Sequence, residues 1–184
     1  FKELVRASHP AMKRLATAII GPAEAEEVVQ DAWMAAIRHL AGFRGDSSLK
    51  TWLFTIVSNE ARSRLRRQRR EVPLHGVGED GHLQLLPDRF DATGHWAPAP
   101  GLWDHDSPEA LLSFEDFRRC LEKVLARLPD NQRAALSLCD IDGLPLEEIC
   151  NILSVSASNV RVLIHRARLK VHGMVENYEE TGTC

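Results

Sequence analysis

The chain has 184 residues, 44% hydrophobic and 27% charged, a composition typical of a globular protein with one domain or two small ones. No run approaches the roughly 18 consecutive apolar residues of a membrane span, and no secretion signal is present, so we expect a cytoplasmic protein. The net charge of −3 is unevenly distributed: residues 1–70 contain 13 Lys or Arg against 7 Asp or Glu, and residues 71–108 contain 1 against 7. Because the sequence starts with Phe instead of Met, we also expect residues before it.

Three amphipathic helices are predicted in the first 70 residues, because apolar side chains recur there at helical spacing. Gly21-Pro22 ends the first helix, residues 42–48 form a turn after the second, and one of Asp46, Ser47 or Ser48 can cap the third. The apolar stripes contain Phe1, Leu4, Val5, Met12, Leu15 and Ile19; then Val28, Val29, Ala32, Trp33, Ala36, Ile37 and Leu40; then Leu49, Trp52, Leu53, Ile56, Val57, Ala61 and Leu65.

The third helix ends in the run RSRLRRQRR, which has six arginines in nine residues. Such a run is either a solvated charged face or a surface that follows a phosphate backbone, a ligand for which arginine is favoured. Phe43 and Asn59 lie upstream and suit contacts with unstacked single-stranded bases, whereas Trp52 is expected in the core. We therefore favour a nucleic-acid surface on this helix.

Residues 71–108 lack periodicity and are rich in Gly, Pro, His and Asp. A loop of this length is unusual inside a compact domain, so we predict a flexible acidic linker between two domains. Trp96 and Trp103 are unexpected in a pure spacer and suggest local docking. The linker histidines are His75, His82, His95 and His105. Their irregular spacing, with no Cys nearby, disfavours a metal site.

Helical periodicity resumes at Pro108 and leads, through breaks at Pro129 and residues 142–145, to a helix-turn-helix. The stretch LEEICNILSVSASNVRVLIHRAR, which starts at Leu146, has the apolar spacing at which two such helices share a core, with the small Cys150 where they approach. The predicted shared core consists of Ile149, Leu153, Val155, Val160 and Leu163. No alternation typical of a strand is present, so the fold is predicted to be all-α.

The outer face of the second helix is basic, since residues 156–173 contain four basic side chains and no acid. Arg161 and Arg166 can each hold a guanine in a bidentate fork, and Val162 can contact a thymine methyl. The predicted DNA-binding set is Ser158, Asn159, Arg161, Val162, His165, Arg166 and Arg168. The alternative is an ordinary helical hairpin with a solvated basic face.

The four cysteines, Cys120, Cys139, Cys150 and Cys184, have no CxxC spacing. We expect reduced thiols, with Cys184 the exposed one, and zinc binding or redox sensing as the alternative. The sequence contains no GxSxG, no HExxH and no Gly-rich phosphate loop. No enzymatic activity, no cofactor and no metal are therefore predicted.

Two blocks of the sequence together resemble the extracytoplasmic-function (ECF, group 4) sigma factors of the sigma-70 family. AEEVVQDAWMAAIRHLAGFRGDSSLKTWLFTIVSNEARSRLRRQRR resembles their region 2, and LARLPDNQRAALSLCDIDGLPLEEICNILSVSASNVRVLIHRARLKV resembles their region 4. The resemblance implies two small helical domains, residues 1–70 and 109–184, joined by the linker of residues 71–108. Val162 and Leu163 depart from a polar residue and Arg in many relatives, so no promoter sequence is implied.

The resemblance also implies a function: binding of core RNA polymerase, recognition of the −10 and −35 promoter elements, and melting of the −10 DNA. The residues expected to bind the clamp helices of the polymerase are Glu27, Gln30, Asp31 and Met34. Those expected at the melted −10 element are Phe43, Lys50, Asn59, Arg62 and Arg66. The helix-turn-helix would read the duplex −35 element. Family members usually act in stress responses under an anti-sigma factor, often membrane-anchored, and we expect such a partner.

Two other interpretations stay open. A self-sufficient helix-turn-helix repressor or activator would dimerise to read paired half-sites, but no helix is left over for dimerisation. A metal-responsive sensor would use the linker histidines, and added Ni²⁺ or Zn²⁺ would then change its stability.

Overall fold

The computed structural model describes residues 2–71 and 108–184, and these ranges contain helices and the turns between them. The α-helices are α1 (Lys2–Ile20), α2 (Pro22–His39), α3 (Leu49–Glu71), α4 (Pro108–Arg127), α5 (Asp130–Leu136), α6 (Leu146–Leu153) and α7 (Ala157–Thr181). A 3-10 turn, Leu40–Gly42, follows α2, and a π-helical turn, Ser137–Ile141, follows α5. The all-helical prediction is confirmed. Nearly all of the predicted linker, with its Trp and His residues, lies outside the described residues.

Local sequence explains where the first helices begin and end. Gly21 has a φ of 93°, a conformation that favours glycine, and its N–H donates to the carbonyl of Thr17 at 3.0 Å to end α1. Pro22 then takes the first position of α2, where its missing N–H costs nothing. Ser48 is the residue that caps α3, since its Oγ accepts the N–H of Thr51 at 3.0 Å.

Residues 2–71 and 129–163 form one compact unit. Helices α1, α2 and α3 make a bundle, α5 packs on α1, and α6 packs on α3. The fully buried side chains of this unit include Met12, Leu15, Ile19, Val28, Val29, Leu53, Phe54, Val57, Leu138, Ile149, Ile152 and Leu153. Two residues predicted on the buried stripe of α2 are instead half-exposed, Ile37 at 51% and Leu40 at 53%. They lie in the last turn of α2 and just beyond it, where none of the described helices covers them.

Residues 108–128 and 164–184 belong to a second unit. Its buried cluster consists of Cys120, Met174 and Tyr178, with Phe117, Leu121, Val124 and Val175 packed against it. Cys120 is joined to Cys184 by a disulfide, so the expectation of reduced thiols is wrong for this pair, whereas Cys139 and Cys150 are in no disulfide. None of the described helices is long and apolar enough to cross a bilayer.

Candidate nucleic-acid interface

The helix-turn-helix predicted from the sequence is formed by α6, a tight turn and the start of α7. Ser154 ends α6 in the left-handed conformation, with φ 51° and ψ 46°. The N–H of Val155 donates to the carbonyl of Cys150 at 3.1 Å, and Ser156 Oγ accepts the N–H of Asn159 at 3.3 Å, which caps α7. The chain thus changes direction in three residues and presents the first turns of α7 as a recognition helix.

The predicted shared core of the motif is only partly as expected. Ile149, Leu153 and Val160 are buried, whereas Val155 and Leu163 are half-buried. Cys150, which the sequence predicts at the approach of the two helices, is half-buried and in no disulfide. The sequence signal missed Ile152, which is fully buried in α6.

The outward face of α7 carries most of the predicted DNA-binding set. Ser158, Asn159, Arg161, Val162 and Arg166 are exposed. His165 is half-buried, and burial, followed by the charges of Arg168 and Arg166, lowers the pKa of its imidazole. Arg168 is only 5% exposed, so the structure does not bring it to the same face as Arg161 and Arg166.

Among the predicted −10 residues of α3, Arg62 is hydrogen-bonded within the protein, whereas Asn59 and Arg66 are exposed. Arg62 Nη1 donates to the carbonyl of Leu153 at 2.5 Å, and its Nη2 donates to Asn131 Oδ1 at 3.3 Å. Burial of this guanidinium, and then the charge of Arg66, lower its pKa. The group nevertheless stays charged, because the ordinary pKa of an arginine is very high. Asn59 and Arg66 are exposed on the same helix.

The start of α3 and the preceding loop hold the other two predicted −10 residues. Lys50 Nζ donates to the carbonyl of Asp142 at 3.1 Å and lies 5.4 Å from the ring centroid of Phe54. Phe43 is half-buried, with its ring centroid 5.1 Å from that of Trp52 at a tilted angle. Trp52 is itself half-buried, so Phe43 and Trp52 together form a partly exposed aromatic surface at the start of α3.

Further contacts join the first three helices to the segment that holds α5 and α6. Arg14 Nη2 lies 2.7 Å from Asp142 Oδ1, a carboxylate whose side chain is 2% exposed. Arg133 Nε donates to the carbonyl of Ala18 at 2.7 Å, and the Thr51 hydroxyl donates to Glu148. Sequence reasoning missed these contacts, because nothing in the apolar periodicity indicates which polar groups meet across helices.

The predicted polymerase-binding residues all lie on the outer face of α2. Glu27, Gln30, Asp31 and Met34 are exposed. Arg64 of α3 reaches this face, where it pairs with Glu27 and lies 3.6 Å from Asp31, so the acidic charge is partly neutralised. Met34 forms an exposed apolar patch with Ile37 and Leu40, and the exposures of the three residues are 57%, 51% and 53%. An exposed apolar patch is typical of a protein-binding surface.

The described residues show no metal site beside these groups. They contain no group of three His, Cys, Asp or Glu side chains arranged to hold a metal ion. The predicted linker histidines lie outside the described residues. What the described side chains present is a set of guanidinium and ammonium groups, two aromatic rings and an apolar patch, which suits nucleic acid and protein partners.

Comparison with known proteins shows similarity in both halves of the chain. Residues 4–71 match the sigma-70 region 2 family, and residues 118–171 match the sigma-70 region 4 family. The chain is 31% identical over 173 residues to the ECF RNA polymerase sigma-E factor of Escherichia coli K12. This match covers 94% of the chain and 84% of that protein. It is 32% identical over 145 residues to the RNA polymerase sigma-H factor of Pseudomonas aeruginosa, covering 79% of the chain and 69% of that protein.

Two solved structures share the fold. The sigma factor RpoE of Bartonella quintana, crystallised with the anti-sigma factor NepR, has a TM-score of 0.63 and 24% identity, with 96% of both chains covered. CnrH, in complex with the cytosolic domain of CnrY, has a TM-score of 0.56 and 21% identity, with 96% of this chain and 87% of that chain covered.

Proposed function

Because the chain belongs to the ECF group of the sigma-70 family of RNA polymerase sigma factors, we propose that it directs the polymerase to promoters through two separate DNA-binding surfaces. It is a transcription initiation factor and not an enzyme. The observation that carries the proposal is the recognition helix α7, which presents Arg161, Val162 and Arg166 to solvent behind a well-formed turn.

The −35 element is the proposed ligand of α7. Arg161 and Arg166 would each donate two hydrogen bonds to the O6 and N7 atoms of a guanine, and Val162 would contact a thymine methyl in the major groove. Ser158 and Asn159 lie at the N-terminus of α7, where hydroxyl and amide groups suit phosphate oxygens. His165 would lie between the two arginines, whereas the buried Arg168 is not part of the proposed surface.

The −10 element is the proposed ligand of α3 and the loop before it. Phe43 would stack on an unpaired base, Asn59 would read its edge, and Lys50, Arg62 and Arg66 would bind the strand backbone. Unstacking a base costs a few kcal/mol, which these contacts would offset. Because Lys50 and Arg62 donate to carbonyls of residues 142 and 153 in the structure, −10 binding would require them to exchange those acceptors for phosphates.

Core RNA polymerase is the proposed partner of α2. The clamp helices would contact Glu27, Gln30, Asp31 and Met34, and the patch of Met34, Ile37 and Leu40 would supply the apolar centre of that interface. Polymerase would also fix the spacing of the two DNA contacts, so that binding at one element raises the effective concentration of the other.

We also propose that the chain acts in the cytoplasm under an anti-sigma factor. Support comes from the two structural neighbours: RpoE was solved with the anti-sigma factor NepR, and CnrH was solved with the cytosolic domain of CnrY. A membrane-anchored inhibitor would fit the same arrangement, and a stress signal would release the sigma factor from it.

The experiment that tests the function is assembly of the full chain with core RNA polymerase, followed by run-off transcription from candidate promoters. We expect tight binding to the polymerase and promoter-dependent transcripts. A Met34→Glu variant should lose both, whereas an Ala23→Glu variant, with the same charge added to the first turn of α2, should keep both. If the chain fails to bind polymerase and instead protects a duplex operator alone, the sigma assignment is wrong.

A further inference from the structure

Cys120 and Cys184 lie together although 64 residues separate them in sequence. Their Cα atoms are 5.3 Å apart, a separation at which a disulfide forms without backbone movement. Cys120 belongs to α4 and is 2% exposed, whereas Cys184 follows α7 and is exposed. The pair therefore joins a cysteine at an exposed position to a buried one.

The chain after α7 is folded so that it returns Cys184 to α4. Gly182 has a φ of 67°, and its N–H donates to the carbonyl of Tyr178 at 2.8 Å, which ends the helix. Asn177 Nδ2 donates to the carbonyl of Thr183 at 3.0 Å, which holds the returning segment. Lys123 Nζ lies 3.4 Å from Cys184 Sγ.

Cys120, the other member of the pair, is also held in place by its neighbours. Cys120 packs with Met174 and Tyr178 in the buried cluster, and the ring of Tyr178 meets the ring of Phe117 edge-on with centroids 5.5 Å apart. Since this cluster packs α4 against α7, we expect the two sulfurs to stay close when the bond is reduced.

We propose that Cys120 and Cys184 form a reversible thiol–disulfide pair that reacts with low-molecular-weight disulfides, such as glutathione disulfide. The Cys184 thiolate attacks one sulfur of the small disulfide, forming a mixed disulfide and releasing one thiolate. The Cys120 thiolate then attacks Cys184 Sγ, which forms the protein disulfide and releases the second thiolate. The two cysteines lose two electrons and two protons, and the small disulfide is reduced to two thiols.

The charge beside Cys184 and the cytoplasmic location proposed above both favour a reversible disulfide. A positive charge such as that of Lys123 beside a cysteine sulfur favours the reactive thiolate. Disulfides of cytoplasmic proteins are usually redox-sensing and not structural. The bond would close a loop that contains α5, α6 and α7, and hence the complete helix-turn-helix, so oxidation restricts the unfolded state of that segment.

The test uses the full chain in glutathione disulfide or in dithiothreitol, with remaining thiols alkylated in denaturant, so that the buried Cys120 is reached, before peptide mapping. We expect one intramolecular disulfide between the peptides of Cys120 and Cys184, fully reversed by dithiothreitol. We also expect the thermal midpoint of the oxidised protein to rise by about 10 °C, given the length of the closed loop.

The Cys184→Ser variant should lose both the cross-link and the rise, and since Cys184 is exposed, this variant should fold. Cys139→Ser and Cys150→Ser serve as matched controls and should keep both effects. The proposal is overturned if oxidation leaves Cys120 open to alkylation, leaves a stable mixed disulfide on Cys184, or links other cysteines or separate chains.

Discussion

Two groups of basic side chains assigned to DNA differ in what they contact in the free chain. On α3, Arg62 donates to the carbonyl of Leu153 at 2.5 Å, and Lys50, in the first turn of the same helix, donates to the carbonyl of Asp142 at 3.1 Å. On α7, Arg161 and Arg166 are exposed. The first group is held by the protein's own backbone, whereas the second faces solvent.

The difference separates two costs of binding. An exposed arginine gives up water when it meets a base or a phosphate, but Arg62 must also give up its bond to a carbonyl, and a hydrogen bond of a charged group contributes about 1.5–3 kcal/mol. We infer that the −35 surface is preformed in the free chain, whereas the −10 surface becomes available only when the contacts of Lys50 and Arg62 are exchanged.

The largest expected effect tests the preformed surface. Arg161→Ala or Arg166→Ala should weaken binding of the polymerase-bound chain to its −35 duplex by about 1–3 kcal/mol, or about 5- to 150-fold, and relax the preference at one base position. The effect is measured by fluorescence anisotropy with single-base promoter variants. Arg119→Ala removes an exposed cation from α4 and should change little. Equal losses in all three variants would indicate a general charge effect without base recognition.

The next effect separates protein binding from DNA binding on the first three helices. Met34→Glu places a charge in the apolar patch on α2, and it should weaken binding to core polymerase by about tenfold or more. Biolayer interferometry with immobilised core polymerase measures this loss. Ala23→Glu is the matched control on the same helix. A Met34→Glu variant that binds normally would remove the patch from the polymerase interface.

A smaller effect tests whether the −10 surface is occluded. Glu148→Ala removes the carboxylate that accepts a hydrogen bond from Thr51, but it changes no residue proposed to bind DNA. It should therefore shift the free chain toward the form in which Lys50 and Arg62 are released from their carbonyl acceptors. We expect free-chain affinity for a single-stranded −10 oligonucleotide to rise by about two- to fivefold. Once polymerase is bound, the variant and the wild type should bind alike.

Glu147→Ala is the control for this experiment, because Glu147 is the preceding acid on α6 and is exposed. It removes the same charge from the same turn of the helix. An equal rise in both variants would attribute the effect to electrostatics, and no rise in Glu148→Ala would contradict occlusion.

The sequence predicted the elements well, because helix boundaries are local. Gly21, Pro22, Ser48 and Pro129 begin or end helices through their own backbone and side-chain chemistry, and the structure uses all of them. The turn at Ser154 and the buried Ile149, Leu153 and Val160 follow from the same kind of signal.

Three features could not be predicted, because each depends on what another helix does. Periodicity placed Ile37 and Leu40 on an apolar stripe, but whether a partner helix covers the end of that stripe is a tertiary property. The bond from Arg62 to a carbonyl 91 residues away has no local signal. Cys120 and Cys184 met because α4 and α7 pack together, which no cysteine spacing indicates.

His165 gives the smallest effect and tests the preformed surface by pH. Burial and then the charges of Arg168 and Arg166 lower the pKa of its imidazole below the ordinary 6.5, so the folded chain binds this proton less readily than the unfolded chain does. Stability contributed by the neutral ring is therefore present above pH 6.5 and is lost as the pH falls toward the lowered value. DNA has the opposite preference, since phosphates favour the imidazolium. As the pH falls through this window, the thermal midpoint of the free chain should fall, while its affinity for the −35 duplex rises by about two- to threefold.

His165→Gln should reduce both pH dependences, and His39→Gln, on the exposed end of α2, should leave both intact. If His165→Gln flattens the stability profile but leaves the affinity profile unchanged, the ring is a packing residue of α7 and the DNA contact belongs to Arg161 and Arg166 alone.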